Sequence, residues 1–371
     1  GKGDDLAGLG GRWRDYNRHR STSSSGRLLR PAHILRGNKG SALPVQCIFL
    51  DTETRPELVR ADVNEAVLWF GTASFMRRRS DGKWTKAKRF SFTDPGELWS
   101  WVTGLCPAGT RTYLFAHNLG FDLSVTKAFD QLTGLGWELT RAVVEDPPTI
   151  LNWRRDKATL CGLDTLNFYP MALARLGESV GLKKLDMPDR AAPPETWAAY
   201  NVRDVEIIER AMMEWFEFLQ RHELGNFAKT LPAQAFGAFR HRFMANRILI
   251  DSNDRALELA RKSYVGARVE ARWLGEIPAP AYLYDVNSMY ASVMHRTHVP
   301  IWLRGHYTWP SDRELAKWLQ HYEVIADVEL NVTAPALPFR GLKRLVFPVG
   351  SYRAQFAGPE LRTEIFENMK R

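Results

Sequence analysis

Acidic side chains recur in three short motifs, and the first follows an apolar segment directly. Asp51 and Glu53 come immediately after Val45–Leu50, a run typical of a buried strand. Alternate residues of a strand point to the same side, so both carboxylates can reach one cation. Taken alone, an Asp-x-Glu pair is far more typical of a solvated strand end.

The second motif is His117-Asn118-Leu-Gly-Phe121-Asp122, which follows the apolar segment Thr112–Ala116. It places a carboxylate beside an amide and an aromatic ring at the end of another predicted strand. A loop or a helix cap is the alternative, because Asn118 can cap a helix and Asp122 favours a helix N-terminus.

The third motif places Tyr200 and Asp204 on a helix predicted over 196–221. Apolar residues recur there at spacings of three and four, namely Val205, Ile208, Met212, Trp215 and Leu219. Residues four apart share one helix face, so the phenol and the carboxylate can point at one site. The alternative is a half-buried tyrosine near an exposed aspartate.

Together, the motifs supply four carboxylates from separate elements: Asp51, Glu53, Asp122 and Asp204. Hard divalent cations such as Mg²⁺ prefer oxygen ligands. Two such ions a few ångströms apart stabilise both the attacking and the leaving oxygen of a phosphodiester displacement. The sequence therefore predicts a two-ion site for Mg²⁺ or Mn²⁺.

The order of the three motifs resembles that of the DEDD exonucleases, tyrosine subtype, found in the proofreading domains of DNA polymerases. The resemblance implies a ribonuclease H-like α/β fold and 3′→5′ hydrolysis of DNA. It implies that the four acids bind the metals and that Tyr200 orients the attacking water. It also implies that residues around the acids hold the single-stranded 3′ end, namely Thr54, His117, Asn118 and Phe121.

A catalytic lysine is also part of this resemblance. Lys184 fits the family's Lys-x-x-hydrophobic pattern better than Lys183, through Lys184-Leu-Asp-Met187. Paired lysines in a polar loop are otherwise typical of a solvated surface.

A second region resembles the start of a polymerase domain. The segment Tyr282-Leu-Tyr-Asp285-Val-Asn-Ser288-Met-Tyr290-Ala-Ser292 resembles the first catalytic motif of family B DNA polymerases, in a form found among protein-primed members. The resemblance implies that Asp285 binds a polymerase metal and that Tyr290 packs under the incoming sugar. Upstream, Tyr264 and Gly266 resemble the linker motif that contacts template DNA.

Two later family B motifs are not found in the sequence, including the one that supplies a second polymerase aspartate. With one carboxylate the two-metal polymerase site cannot be built, so we expect that this chain alone does not extend DNA. A shortened polymerase, one piece of a split polymerase and a chain that lost synthesis are all open explanations. Two other functions are also open: a stand-alone DEDD nuclease acting on DNA or RNA, and an inactive module that binds single strands or a partner protein.

The elements that must position these residues follow the apolar pattern. We predict strands over 45–50, 66–76, 88–92, 112–116, 159–168, 264–274, 281–286 and 322–332. We predict helices over 95–105, 169–180, 196–221 and 232–247. Strands followed by alternating helices and strands predict an α/β sheet with helices on its faces.

Three parts are predicted along the chain. Residues 1–44 form a basic flexible arm, residues 45–250 a ribonuclease H-like exonuclease domain, and residues 251–371 an incomplete α+β polymerase palm. The expected partners are a single-stranded DNA 3′ end and primer-template DNA, with a terminal (priming) protein or a missing polymerase portion as further candidates.

Composition limits the class of protein. With 44% apolar and 25% charged residues, the 371-residue chain is typical of a folded globular protein. The net charge is +9, but residues 1–40 hold nine Lys/Arg against three Asp/Glu, so charge alone does not predict nucleic-acid binding.

Cysteine usage and hydropathy indicate the compartment. Three widely spaced cysteines form no CxxC pair, which argues against zinc or disulfides and favours a reducing compartment. The apolar runs are too short for a membrane span and no signal-peptide pattern is present. We therefore expect a cytoplasmic protein acting in phage or plasmid replication within a bacterial host, or one in another reducing intracellular compartment.

Overall fold

A computed structural model describes residues 32–362, except 61–62, 146, 190, 267, 272, 278, 298, 301 and 342–343. Most of the predicted arm over 1–44 lies outside the described residues. The chain divides into two compact units, Arg36–Ala245 and a second unit that includes the described residues from Asn246 onward.

Both units contain strands and helices. The strands in chain order are β1 (His33–Ile34), β2 (Gln46–Arg60), β3 (Val63–Arg77), β4 (Lys88–Phe92), β5 (Arg111–Ala116), β6 (Glu138–Val144), β7 (Thr149–Arg155), β8 (Ala158–Asp164), β9 (Leu249–Ile250), β10 (Ile325–Val332), β11 (Phe339–Arg340), β12 (Leu345–Val346) and β13 (Gly350–Ala357). The helices are α1 (Pro95–Gly104), α2 (Leu119–Val125), α3 (Ala128–Gly134), α4 (Leu173–Ser179), α5 (Pro194–Arg221), α6 (Leu231–Ala238), α7 (Asp254–Ser263), α8 (Met289–Arg296) and α9 (Asp312–His321). A 3₁₀ turn covers Thr165–Asn167 and a π-helical turn covers Phe239–Phe243.

The first unit is built on a seven-stranded sheet with the strand order β4-β3-β2-β5-β8-β7-β6. Its central strands β2, β5 and β8 are parallel to one another. The outer strands pair antiparallel, β3 with β2, β4 with β3, β7 with β8, and β6 with β7. This mixed sheet with helices confirms the predicted α/β class.

The first five residues of strand β2, Gln46–Leu50, are buried, and the alternation along the strand assigns each side chain to one face. Cys47 and Phe49 belong to the core cluster that includes Val205, Ile208 and other residues of α5. Ile48 and Leu50 belong to the opposite cluster, which includes residues of α1, α2 and α3. Continuing this alternation puts Asp51 and Glu53 on the α5 face and Thr52 on the α2 face.

Helix α5 brings the third motif to the sheet. It begins directly after Pro193 with Pro194 at its first position, where the missing N–H costs nothing. Its apolar stripe, including Met212 and Phe216, is buried against the sheet. Fully burying each such side chain stabilises the fold by about 1.5–3 kcal/mol, so α5 is held firmly in register with β2.

Several predicted limits in the first unit shift for local reasons. Strand β8 ends at Asp164, and α4 begins only at Leu173 because Pro170 disfavours helical backbone at the residue before it. The helix predicted over 232–247 divides into α6 and the π-helical turn that ends at Phe243. Cys47, Cys106 and Cys161 are buried and free.

The second unit has its own small core. Strands β10 and β13 pair antiparallel, and Leu315 and Leu319 of α9 pack into the core that contains Val332 and Phe356. Helix α9 begins with a capping box between Ser311 and Glu314.

Two predicted strands in the second unit are wrong. The described residues of 264–274 and 281–286 form no strand. Their apolar side chains are not buried: Val269 is 91% exposed and Leu283 is 99% exposed. An alternating pattern alone does not make a strand without a partner strand and a face to bury. No described helix is long and apolar enough to cross a bilayer.

Candidate active site

Three carboxylates converge where β2 meets α5. One ligand oxygen from each of Asp51, Glu53 and Asp204 lies within 4.8 Å of the others. Asn201, fully buried on α5, donates from Nδ2 to Asp51 Oδ2 at 2.6 Å and so fixes that carboxylate. Residues of the first and third motifs therefore lie side by side.

Asp204 is buried and only half satisfied. Its Oδ2 accepts a hydrogen bond from Lys184 Nζ, whereas its Oδ1 is buried and has no hydrogen-bond partner among the described residues. An unsatisfied carboxylate oxygen beside two further carboxylates fits a divalent cation, which supplies the missing positive charge.

Lys184, rather than Lys183, faces the site. Its ammonium lies 4.1 Å from the centre of the Tyr200 ring. The loop that carries Lys183 and Lys184 is held to α5 because Arg203 Nη1 donates to Lys183 O at 2.9 Å. Gly177 lets the same loop pass close, since a Cβ there would lie 2.6 Å from Leu182 O.

The electrostatics of the cluster are those of crowded acids. Burial and the neighbouring Asp204 raise the pKa of Glu53 to about 7. Burial and the carboxylates of Asp122, Asp204 and Glu53 also raise the pKa of Asp51 well above its usual range. A divalent cation bound here would favour the ionised form of these groups.

Asp122 approaches from the opposite face of the sheet. It is buried on α2, and its Oδ1 accepts a hydrogen bond from Thr52 Oγ1 at 2.7 Å. Burial raises its pKa to about 8, against the lowering effect of Thr52. Asp122 is not in the group that lies within 4.8 Å, although its charge acts on Asp51. Its role as a metal ligand stays a prediction.

Three of the four residues expected to hold a 3′ end lie close to Asp122 in sequence, and Thr54 lies on β2. Asn118 adopts left-handed backbone with φ of 68° at the start of α2, and it makes no side-chain cap. His117 Nδ1 lies 2.8 Å from Thr165 Oγ1. Phe121 is 41% exposed, which leaves a ring face available, and Thr54 on β2 is partly buried.

Asp164 was missed by the motif reading, although it ends strand β8. Its Oδ1 accepts from the backbone N–H of Asn118 at 3.1 Å and of Leu166 at 2.9 Å, and its Oδ2 accepts from that of Leu119 at 2.9 Å. One buried carboxylate thus ties the start of α2 to the 3₁₀ turn. The sequence signal that could have revealed Asp164 is the position of an acid at the end of a largely buried strand.

Two further neighbours of the acids were missed as well. Asn201 and Thr52 lie next to Tyr200 and Asp51 in sequence, but they occupy positions at which the motifs specify no residue type. Each holds one acid by a hydrogen bond. In the sequence, only their positions next to Tyr200 and Asp51 indicated a role. Those positions did not show which way the two side chains point.

The polymerase-type residues lie in the second unit and are open to solvent. Asp285 and Ser288 are exposed and precede α8, while Tyr290 within α8 is 72% exposed. Tyr264 and Gly266 follow α7, and Arg340 donates to the Tyr264 carbonyl. In the described part of the chain, Asp285 belongs to no cluster of acids that could hold a metal.

Comparison with protein families gives one match. Residues 194–367 match the family described as DNA polymerase type B, organellar and viral. The matched segment contains Tyr200, Asp204 and Asp285. The family resemblance read from the motifs is confirmed. No curated protein matches the chain in sequence.

Among solved structures the chain is similar to phi29 DNA polymerase complexed with primer-template DNA and incoming nucleotide substrates, with a TM-score of 0.58 and 16% identity. It is also similar to phi29 DNA polymerase complexed with single-stranded DNA, with a TM-score of 0.56 and 14% identity. Each match covers 86% of this chain and 58% of the polymerase, so the chain spans little more than half of that length. At this identity the likeness concerns the fold, which agrees with the predicted class.

Proposed function

We propose that the first unit is a 3′→5′ exonuclease that hydrolyses DNA. The match of residues 194–367 to the type B DNA polymerases of the organellar and viral kind supports this proposal. One observation carries the proposal: Asp51, Glu53 and Asp204 converge within 4.8 Å, with Lys184 bonded to Asp204. The match to a family of DNA polymerases, together with this acidic cluster, supports an activity that removes nucleotides from a primer end.

Divalent ions fit this cluster by charge and by ligand type. Asp51, Glu53 and Asp204 would hold them, with Asp122 as the fourth acid. When bound, the ions polarise the phosphodiester and stabilise the attacking and leaving oxygens.

Tyr200 and Lys184 act from the α5 side. Burial raises the pKa of the Tyr200 phenol, so at neutral pH its hydroxyl is protonated and can donate a hydrogen bond that orients a water. Lys184 stays charged: burial lowers its pKa, but the hydrogen bond to Asp204 and the proximity of Tyr200 outweigh that effect and raise it. An ammonium has three donors, so after bonding to Asp204 it can still donate to a phosphate oxygen.

Asn118 and Phe121 act from the α2 side. The exposed Phe121 ring offers a stacking face for the terminal base, and such stacking contributes about 1–3 kcal/mol per base. Asn118, His117 and Thr54 supply polar groups around the same strand end. Primer-template DNA and a terminal protein are the further partners that we propose, since the Met-Tyr-Ala-Ser form at 289–292 resembles protein-primed polymerases.

Digestion of 5′-labelled single-stranded DNA in Mg²⁺ or Mn²⁺ tests this proposal. We expect a ladder that shortens from the 3′ end, and we expect Asp51→Ala/Glu53→Ala to abolish it. The matched control is Asp130→Ala/Glu138→Ala, two exposed acids of the same unit, which should leave the ladder unchanged. No shortening by the wild-type chain, or equal shortening by the Asp51/Glu53 variant, would contradict the proposal.

The substrate class is tested in the same assay with an RNA strand of identical sequence. We expect faster digestion of the DNA strand. Faster digestion of RNA would favour a stand-alone nuclease of the same superfamily, and single-strand binding without any digestion would favour an inactive binding module.

A further inference from the structure

The loop between β3 and β4 carries an unusual concentration of positive charge. Residues 77–89, called the basic hairpin here, hold seven Lys/Arg and a single acid, Asp81. Six of the seven cations are exposed: Arg77, Arg79, Lys83, Lys86, Lys88 and Arg89.

Backbone hydrogen bonds give the basic hairpin a defined shape. Arg79 N donates to Lys83 O at 2.8 Å, and Gly82 N donates to Arg79 O at 3.0 Å. Gly82 makes the turn with a φ of 82°, which an L side chain rarely adopts. Asp81 Oδ1 accepts from Lys83 N at 2.9 Å, so the single acid stabilises the turn.

Side chains fasten the basic hairpin to α5. The Trp84 ring stacks on Phe216 with centroids 5.7 Å apart, and Arg89 pairs with Glu206 at 2.5 Å. The cations are therefore presented from a rigid support, which reduces the entropy lost when they bind a ligand.

Most of this charge has no counter-ion within the described residues. Arg89 forms an ion pair, whereas Arg77, Arg79, Lys83, Lys86 and Lys88 form none there. The acids further along α5 do not compensate, because Glu214 pairs with Arg210 and Glu217 with Arg221 on the helix itself. Like charges without counter-ions repel one another, so these exposed cations do not stabilise the fold.

The basic hairpin lies away from the carboxylates. Arg77 pairs with Gln46, whereas Asp51 pairs with Thr72, so five residues of β2 separate the two positions. At roughly 3.3 Å per residue this is about 17 Å along the strand. A group bound at the carboxylates does not reach the tip, but several successive phosphates of one strand span that distance.

We propose that the basic hairpin is a second DNA-binding surface, which holds the phosphate backbone at a place separate from the carboxylates. The choice of DNA, rather than another polyanion, rests on the proposed function. A row of fixed cations fits a regularly spaced phosphate chain and carries no base specificity.

Binding of a labelled 20-nucleotide single strand, measured by anisotropy in EDTA so that nothing is cleaved, tests the surface. The variant Arg79→Ala/Lys83→Ala/Lys86→Ala should weaken binding at least about tenfold at low salt. Because each phosphate contact on a single strand contributes about 0.7 to the slope of log K against log salt, the slope should fall by about 2.

Two matched variants make the result specific. Arg141→Ala/Arg154→Ala/Lys157→Ala removes three exposed cations from β6, β7 and the β7–β8 turn of the same unit and should keep the wild-type slope. Arg79→Lys/Lys83→Arg/Lys86→Arg keeps the charge and should keep the affinity. Equal weakening by the two alanine variants, or full competition by polyglutamate of the same charge, would overturn the proposal.

The binding test of the basic hairpin does not depend on nuclease activity. Asp51→Ala/Glu53→Ala should lose nuclease activity and still bind the 20-nucleotide strand through the basic hairpin. If the wild-type chain fails to cleave but shows hairpin-dependent binding, the proposed function fails and the surface stands. If it cleaves but the alanine variant of the hairpin binds like the control, the surface fails and the proposed function stands.

Discussion

Lys184 contacts two of the side chains that α5 contributes to the site, those of Asp204 and Tyr200. It donates to Asp204 and lies over the Tyr200 ring, while Lys183 beside it is exposed and contributes only its carbonyl to Arg203. Two adjacent residues of the same type thus have different environments. A substitution at Lys183 is therefore a matched control for the same substitution at Lys184.

We predict that Lys184→Ala lowers the exonuclease kcat about a hundredfold with a smaller change in KM. Loss of one positioned donor to a developing negative charge typically has that magnitude. Lys183→Ala should remain within about twofold of wild type, because only its backbone is used. Single-turnover digestion of labelled DNA measures both variants, and equal rates for the two would contradict the assigned role.

The raised pKa values predict a dependence of stability on pH in the absence of metal. Asp122 titrates near its ordinary value of about 3.9 when unfolded but at about 8 when folded. The folded state therefore binds the proton more tightly, and this contribution to stability is complete below the unfolded pKa and is lost as pH rises through about 8.

We predict accordingly that Asp122→Asn, measured in EDTA by urea denaturation, gains stability relative to wild type as pH rises from 5 to 9. Added Mg²⁺ or Mn²⁺ should reverse the order at pH 8, because the ion stabilises the ionised wild-type cluster and the amide lacks the charge. The exposed Asp130→Asn should show neither effect. A pH-independent difference between Asp122→Asn and wild type would argue against the buried, protonated acid.

At the residue scale, the sequence predicted the site where spacing alone determines which side chains share a face. Residues 51 and 53 share a face in any strand, and residues 200 and 204 share a face in any helix, so their convergence needed only β2 and α5 to pack together. Asp122 depends on how α2 meets the sheet. Its bond to Thr52 therefore could not be read from the motif.

At the scale of elements, Asp164 connects the two segments that surround the expected 3′ end. Its carboxylate accepts three backbone N–H groups, two from the start of α2 and one from the 3₁₀ turn. The carboxylate is buried, so removing it leaves donors without partners. A buried donor without a partner costs about 1–3 kcal/mol.

We predict that Asp164→Ala lowers the free energy of unfolding by at least about 2 kcal/mol and raises KM for single-stranded DNA more than it lowers kcat. The reason is that Asn118 and Phe121 lose their fixed position while the acids on β2 and α5 stay in place. Asp156→Asn, at an exposed left-handed turn position, should change stability by less than about 0.5 kcal/mol. An Asp164→Ala variant with wild-type KM would show that the tie is purely structural.

Elements with strong periodicity were predicted well, and weakly patterned ones were missed. Helix α5 and strand β4 lie within two residues of their predicted limits. Strand β6 is almost entirely exposed, so its sequence lacks the alternation that marks a half-buried strand. Helices α2 and α3 have seven residues each, too few to show a helical period.

At the scale of the whole molecule, the two units differ in how firmly they hold their chemistry. The acids of the first unit are fixed by a seven-stranded sheet and by hydrogen bonds from Asn201 and Thr52. The first polymerase motif lies in a segment whose apolar side chains are exposed, namely Tyr282, Leu283, Tyr284, Val286, Met289, Tyr290, Val293 and Met294. Exposed apolar side chains in such number along one segment are typical of a surface that contacts another polypeptide.

We predict that the 371-residue chain, given a 5′-labelled primer on a template with Mg²⁺ and all four nucleotides, shortens the primer and does not extend it. Polymerisation requires a second metal-binding aspartate, and the sequence contains no segment that resembles the family motif that supplies one. Even a single catalytic carboxylate must be held within about 0.5 Å by packed neighbours, whereas Asp285 and Tyr290 are open to solvent. Asp285→Asn should therefore leave the product ladder unchanged, while Asp51→Ala/Glu53→Ala should remove it. Products longer than the primer in the Asp51/Glu53 variant, lost on Asp285→Asn, would show that the second unit assembles a working polymerase site by itself.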